Sequence, residues 1–221
     1  MPKVSIITVC YNEPDVKRTC ESIITQTDSD YEWLIIDGGS KPDCLDILQN
    51  YKDKTAYFVS EKDSGIFNAM NKGIAKAQGE YLIFMNAGDE FFHPEVLRLV
   101  KPFLDGKSEI IYGDTQYINE DGTTELLSCP EILNKEFFKE QTINHQSSFI
   151  RKDLFKSFGN YDENFPIFAD IEKWLVYEEN GCLFKHLPVI VAKFYRTGVS
   201  SKHTEKYYAE RQKMWQKHNL D

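Results

Sequence analysis

The 221-residue chain has no CxxC pair, no glycine-rich GxGxxG after its first apolar run, no block of like charge and no internal repeat. Nor does any stretch approach the ~18 consecutive apolar residues of a membrane span. Each absence removes a class of protein. Five cysteines (Cys10, Cys20, Cys44, Cys129, Cys182), odd in number and widely spaced, argue against a disulfide framework and a structural zinc site, and fit a reducing cytoplasm. The opening MPKVSIITVCYNE lacks the charged region, long apolar stretch and small-residue cleavage site of a signal peptide, and reads as a first strand. With 26 basic against 35 acidic residues and no basic stripe, nucleic-acid binding lacks its electrostatic footprint. Without GxGxxG a Rossmann dehydrogenase is excluded, and YNEPDV is not the glycine-rich, arginine-containing loop of a nucleotidyltransferase. At a net charge of −9, any anionic phosphate must be met locally, by a cation, backbone N–H groups or a few placed Lys and Arg residues.

What is present alternates. Apolar runs at 3–11, 31–36, 56–59 and 81–85 read as strands, and helical patterns at 15–27, 43–51 and 66–77 lie between them, a β-α series that implies a mostly parallel α/β sheet. Ile66, Met70, Ile74 and Ala77 draw one apolar stripe, and Gly79 is placed to end that helix in a left-handed cap. Three of the strands end on or near an acid (Asp37, Asp63 and Asp89), on the edge where open α/β sheets bind ligands. Asp is also common in turns and caps. After Asp89 the rhythm changes: helices are expected at 94–103, 131–139, 152–158, 168–179 and 202–218, a strand at 109–112, a hairpin over 115–127, and one or two strands over 183–195. With no linker composition, the chain reads as one domain, residues 1–90 forming one half and 91–221 an appended second half.

In order along the chain, VSIITVCYNE, IIDGGSKPD, SEKDSGIFNAMNKGIAKAQGEYLIFMNAGDEF, HQSSFIRKDLFKSFGNYDENF, FADIEKW and GVSS resemble the family 2 glycosyltransferases, inverting enzymes of the GT-A fold, and in particular their bacterial polysaccharide-building branch. The resemblance implies a nucleotide-diphosphate sugar donor, most often UDP-linked, and a divalent metal, Mn²⁺ or Mg²⁺. It implies that Tyr11 stacks on the base and that Asp37 accepts from the uracil N–H. Asp63 falls where the family contacts the nucleoside, a position a helix cap explains as well. Asn12, Glu13 and Asn71 fall near the ribose or phosphates, and His145 near the phosphates or metal. Asp170 matches the base that takes the acceptor's proton, with Glu172 as second candidate, although Asp also suits a helix start. Ser200 matches a phosphate contact in a late loop.

Two departures stand out. The metal-binding acidic turn of the family is here Asn86-Ala87-Gly88-Asp89, leaving Asp89 as direct metal ligand and Asn86 as a sugar or water contact. Met70 stands where many relatives carry Arg, so a phosphate-neutralising cation would come from Lys193, Arg196 or Lys202. The implied acceptor is a glycan or lipid-linked saccharide, its pocket drawn from Phe91, Phe92, His93, Tyr161, Phe165 and Trp174. The terminal helix is open to three roles: resting on the inner membrane surface, pairing two subunits, or covering the sheet. A protein that binds nucleotide sugars without turnover is the competing reading, motivated by the thinned acidic turn.

Overall fold

The computed structural model describes residues 2–196 and 204–220. Its first half is a parallel sheet of β1 (Val4–Cys10), β2 (Tyr31–Asp37), β3 (Tyr57–Ser60) and β4 (Tyr81–Phe84), connected through α1 (Val16–Ile24), α2 (Pro42–Gln49) and α3 (Ile66–Lys76). Cys10 lies level with Asp37, and Asp37 with Ser60, so the strands end together. The order β3-β2-β1-β4 reverses the winding at β1 and opens a crevice at the carboxyl ends of β1 and β4.

Both faces of this sheet are covered. Ile6, Trp33, Ile35 and Ile83 pack against Val16, Cys20 and Ile23 of α1 and Leu48 of α2. Ile7, Leu34, Ile36 and Phe84 pack against Phe67, Met70 and Ile74 of α3. Strands buried on both sides need no polar alternation, which is why they read as nearly continuous apolar runs. The stripe read on α3 is buried at Met70, Ile74 and Ala77 and departs only at its start, where Phe67 is buried and Ile66 is 43% exposed. Gly79 also serves another purpose. Its φ is not positive, and the helix gives way at Ala77 (φ −58°, ψ 142°). A Cβ on Gly79 would sit 2.5 Å from the Ser5 backbone nitrogen, so the chain passes too close to β1 for any side chain.

The second half contains β5 (Glu90–Phe91), α4 (Val96–Val100), β6 (Ile110–Ile118), β7 (Thr124–Leu127), α5 (Lys135–Glu140), β8 (Ser148–Arg151), α6 (Asp153–Phe158), α7 (Ala169–Glu179), β9 (Phe184–Tyr195) and α8 (Glu205–Lys217). β8 runs antiparallel to β4 and joins the halves into one sheet, ordered β3-β2-β1-β4-β8-β6-β9-β5 among the described residues, with β7 beside β6. The strand and hairpin expected over 109–127 form one long strand and its return, turning at 119–123. The helix expected at 131–139 starts only at Lys135, where the Asn134 side chain accepts from Phe137 N at 2.9 Å. The one expected at 94–103 tightens into a 3₁₀ turn (Lys101–Phe103) around Pro102.

Gly79→Ala, which forces a methyl group against the β1 backbone, is expected to cost about 1–3 kcal/mol. Urea unfolding should show a lower midpoint at unchanged m-value, and an unchanged midpoint would mean the close approach constrains nothing.

Candidate active site

The loops after β1, β2 and β3 are tied to one another. Tyr11, 67% exposed, projects from the end of β1. Asn12 follows in a left-handed conformation (φ 53°) that asparagine tolerates; its Oδ1 accepts from Lys41 N at 2.8 Å, and its own N–H donates to Ser40 Oγ at 2.7 Å. Asp37 is fully buried. Its Oδ2 accepts from Gly39 N (3.2 Å), Ser40 N (2.9 Å) and Ser60 Oγ (2.6 Å), and its Oδ1 from Ser40 Oγ. In this conformation the Asp37 carboxylate, expected to meet the base, holds the 38–41 loop. Asp63 comes closer to the rim. Its Oδ1 accepts from Gly65 N at 3.0 Å, and its carboxylate lies against Gly38, where a Cβ would be 2.5 Å from Oδ2.

The turn after β4 is the centre of the site. Thr19 on α1 holds it, accepting from Gly88 N at 2.9 Å and donating to the Asp89 carbonyl at 2.6 Å. Gly88 needs its freedom (φ +99°), and the Glu13 carboxylate packs across it: a Cβ there would sit 3.2 Å from Glu13 Cδ. Asn86 Nδ2 donates to His145 Nε2 at 2.9 Å, and His145 Nδ1 donates to Asp170 Oδ2 at 3.0 Å. With Nε2 accepting, a ring proton sits on Nδ1, toward Asp170. This arrangement leaves Asn86 Oδ1 buried without a partner. Asp89 is 6% exposed; its Oδ1 accepts from Tyr195 N at 3.0 Å and its Oδ2 from Gln146 Nε2 at 2.7 Å. Burial pushes its pKa up to about 6, against the pull of those two donors. Arg18 lies nearby, its guanidinium stacked 3.6 Å from the Tyr195 ring and paired with Asp15 at 2.7 Å.

Asp170 stands in the first turn of α7, where its Oδ1 accepts from Ile171 N at 2.9 Å. The start of α7 is set by α8: Glu210 Oε1 accepts from Ile167 N (2.7 Å) and Phe168 N (2.8 Å). Glu172 does not share the site. It is 2% exposed and paired with Lys217 at 2.6 Å, with His218 Nε2 3.7 Å away.

Several expected contributors lie elsewhere. Asn71, expected near ribose or phosphate, clamps the second half to α3, donating to the Tyr161 carbonyl and accepting from Tyr161 N, each at 3.0 Å, and donating to Glu163. Arg196 pairs with Glu125 at 2.8 Å and lies 4.0 Å from the centre of the Tyr117 ring, both on the β6–β7 hairpin. Lys193 pairs with Glu90 at 3.1 Å. Ser200 and Lys202 lie outside the described residues. Of the aromatics expected at the acceptor, Phe91, Tyr161, Phe165 and Trp174 are core. Thr19, Gln146, Tyr195 and Glu210 went unassigned in the sequence. Only Thr19 leaves a signal there, as a hydroxyl on the otherwise apolar face of α1.

Because α8 positions the start of α7, its anchoring has a pH dependence. Burial opposes a charge on His218, yet Glu172 and Glu179 (Nδ1 to Oε2 3.0 Å) outweigh it and raise the pKa above its ordinary 6.5. A raised histidine contributes stability in full below 6.5 and loses it as pH rises through the folded value. Thermal melts should fall as pH is raised above 6.5, and His218→Gln should flatten that fall; an unaltered slope would contradict it.

Among proteins of known sequence, the Glycosyl transferase family 2 model matches residues 5–159. An uncharacterised glycosyltransferase of Mycobacterium tuberculosis is 32% identical over 206 residues, covering 90% of this chain and 78% of the relative. A PGL/p-HBAD biosynthesis glycosyltransferase of Mycobacterium bovis is 29% identical over 204 residues, covering 89% and 78%. Among solved structures, residues 1–349 of S. aureus TarS in complex with UDP superpose with a TM-score of 0.76 at 18% identity, over 99% of this chain and 66% of that one. The mannosyltransferase PcManGT of Pyrobaculum calidifontis, with GDP-Man and Mn²⁺, gives 0.70 at 15%, over 100% and 65%. This chain thus spans just under two thirds of those two solved chains. The architecture shared with these neighbours is the GT-A fold. By the family model and by its relatives, the chain belongs to glycosyl transferase family 2.

Proposed function

We propose that the protein transfers a sugar, with inversion, from a nucleotide-diphosphate donor, UDP-linked, to a hydroxyl of a glycan or lipid-linked saccharide in cell-surface polysaccharide biosynthesis. The observation that carries this reading is the hydrogen-bonded path Asn86–His145–Asp170. It runs from the turn at the sheet's ligand edge to a carboxylate on the opposite element, and a protein that merely held a nucleotide sugar has no use for an oriented base there. The UDP-bound TarS neighbour supports the donor class. In this reading residues 1–90 hold the donor and 91–221 the acceptor, in one unit.

The nucleobase stacks on Tyr11 at the mouth of the β1–β4 crevice, beside the loop that Asp37, Asn12 and Ser40 keep in shape. Asp63 and Glu13 border the ribose and diphosphate. Asp170 then takes the proton of the acceptor hydroxyl as that oxygen attacks the anomeric carbon, and the nucleoside diphosphate leaves from the opposite face. His145 supports this role by donating to Asp170 Oδ2, which fixes the carboxylate's rotation.

The residues present fit a divalent cation that arrives with the donor's diphosphate. Asp89 is a desolvated carboxylate, its pKa raised to about 6, and Asn86 Oδ1 is a buried oxygen lacking a partner. No group of three His, Cys, Asp or Glu side chains suited to a metal exists among the described residues, so the diphosphate and water would complete the shell. Mn²⁺ in the PcManGT complex supports the choice of ion. When bound, such a cation offsets the charge that builds on the departing diphosphate.

Asp170→Asn is expected to keep UDP affinity within about twofold while UDP-sugar turnover, followed as released UDP, falls by about 10²–10⁴. Unaltered turnover would remove Asp170 from the mechanism. Asp89→Asn is expected to abolish the gain in UDP affinity that Mn²⁺ confers, about tenfold or more by calorimetry in the unsubstituted protein, or about 1.4 kcal/mol. A gain that survives the substitution would place the cation elsewhere.

A further inference from the structure

The turn after β4 offers a cation little on its own. Its one carboxylate, Asp89, already accepts on both oxygens, from Tyr195 N at 3.0 Å and from Gln146 Nε2 at 2.7 Å. A hard divalent cation that travels with a diphosphate is commonly held by one or two carboxylates together with phosphate oxygens and water. A second anionic oxygen beside the turn would therefore strengthen the grip. One is supplied by the loop after β1, the other strand that borders the crevice.

Glu13, half-buried in that loop, lies across Gly88. A Cβ built on Gly88 would meet Glu13 Cδ at 3.2 Å, and its Cγ and Oε2 at 3.5 Å each, so the Glu13 carboxylate fills the space that a side chain at position 88 would take. The placement is held from two points. Glu13 Oε1 accepts from Asp15 N at 3.0 Å, while Thr19, further along the same segment, binds the Gly88 N–H and the Asp89 carbonyl. Glu13 Oε2 accepts from no donor and pairs with no cation among the described residues. The neighbouring acids are committed, Asp15 to Arg18 at 2.7 Å and Glu90 to Lys193 at 3.1 Å. In the turn itself Asn86, 9% exposed, keeps its Oδ1 buried and without a partner.

We propose that Glu13 is a ligand of the donor-borne cation, supplying from the β1 side the carboxylate that the β4 turn lacks at Gly88. Glu13 and Asp89 then share one ion at the mouth of the crevice, the diphosphate and water completing its shell. The inference rests on the cation site proposed at Asp89, and it adds a second protein ligand to that site. A Glu13 that served only to hold Asp15 N ahead of α1 would support the fold and the bound nucleotide alike, whereas a ligand matters only when the metal is present.

Calorimetry of the full chain with UDP, alone and with Mn²⁺, separates the two roles. Glu13→Gln should shrink the gain that Mn²⁺ confers on UDP affinity from about tenfold or more to about twofold or less. UDP alone should bind this variant at least as tightly as it binds the unsubstituted protein, because one negative charge beside the diphosphate is gone. A loss of UDP affinity that is equal with and without Mn²⁺ would make Glu13 a structural residue and overturn the proposal. So would a gain that survives Glu13→Gln while Asp89→Asn abolishes it, an outcome that leaves the cation at Asp89. A gain absent from the unsubstituted protein, or one that survives both substitutions, would remove the cation site as a whole, and that failure is distinguishable from the failure of Glu13 alone.

Discussion

The arrangement of the site depends on one constraint: the turn after β4 buries a carboxylate and an amide that must find hydrogen-bond partners away from water. Asp89 finds Gln146 and the backbone N–H of Tyr195, and Asn86 finds His145. All three partners belong to the second half of the chain. The ligand edge of the parallel sheet is therefore completed by residues about 57 to 106 positions further on. The carboxylate remains costly even so, as its raised pKa records, and the amide keeps one oxygen unpaired. Such incompletely satisfied groups are what a site built to receive a charged ligand retains.

The same constraint explains why much of the second half is support. α8 contributes Glu210 to the segment before α7, and Lys217 and His218 hold Glu172. Asn71 and Asn68 grip Glu163 in the loop ahead of α7. Asp170 is thus held from its helix start, from His145 and through α8, while its side chain keeps 16% exposure. A base must be rigid in direction yet reachable, and this geometry meets both conditions.

The parallel strands, their order of helices and the acidic edge were legible in the sequence, because a strand buried on two faces and a helix buried on one leave different periods. Gly79 and Ile66 mark where that reading ends. Glycine at a helix end suggests a left-handed cap, whereas here the cause is a backbone 74 positions away that admits no side chain. Ile66 lost its place to Phe67 because a stripe of apolar residues sets the face only to within one position. Side-chain direction was legible least. Asn71 turned toward Tyr161, Arg196 toward the hairpin and Glu172 toward α8, each drawn by a partner far along the chain, whereas Asp37 turned under its own loop, toward Ser40 and Ser60.

The account as a whole is tested most directly by a crystal structure of the chain with UDP and Mn²⁺, using the anomalous signal of manganese to locate the ion. It predicts the uracil on Tyr11, the diphosphate in the β1–β4 crevice, and manganese bound to Asp89. Nucleotide density remote from both Tyr11 and Asp89, or manganese on other ligands, would contradict it.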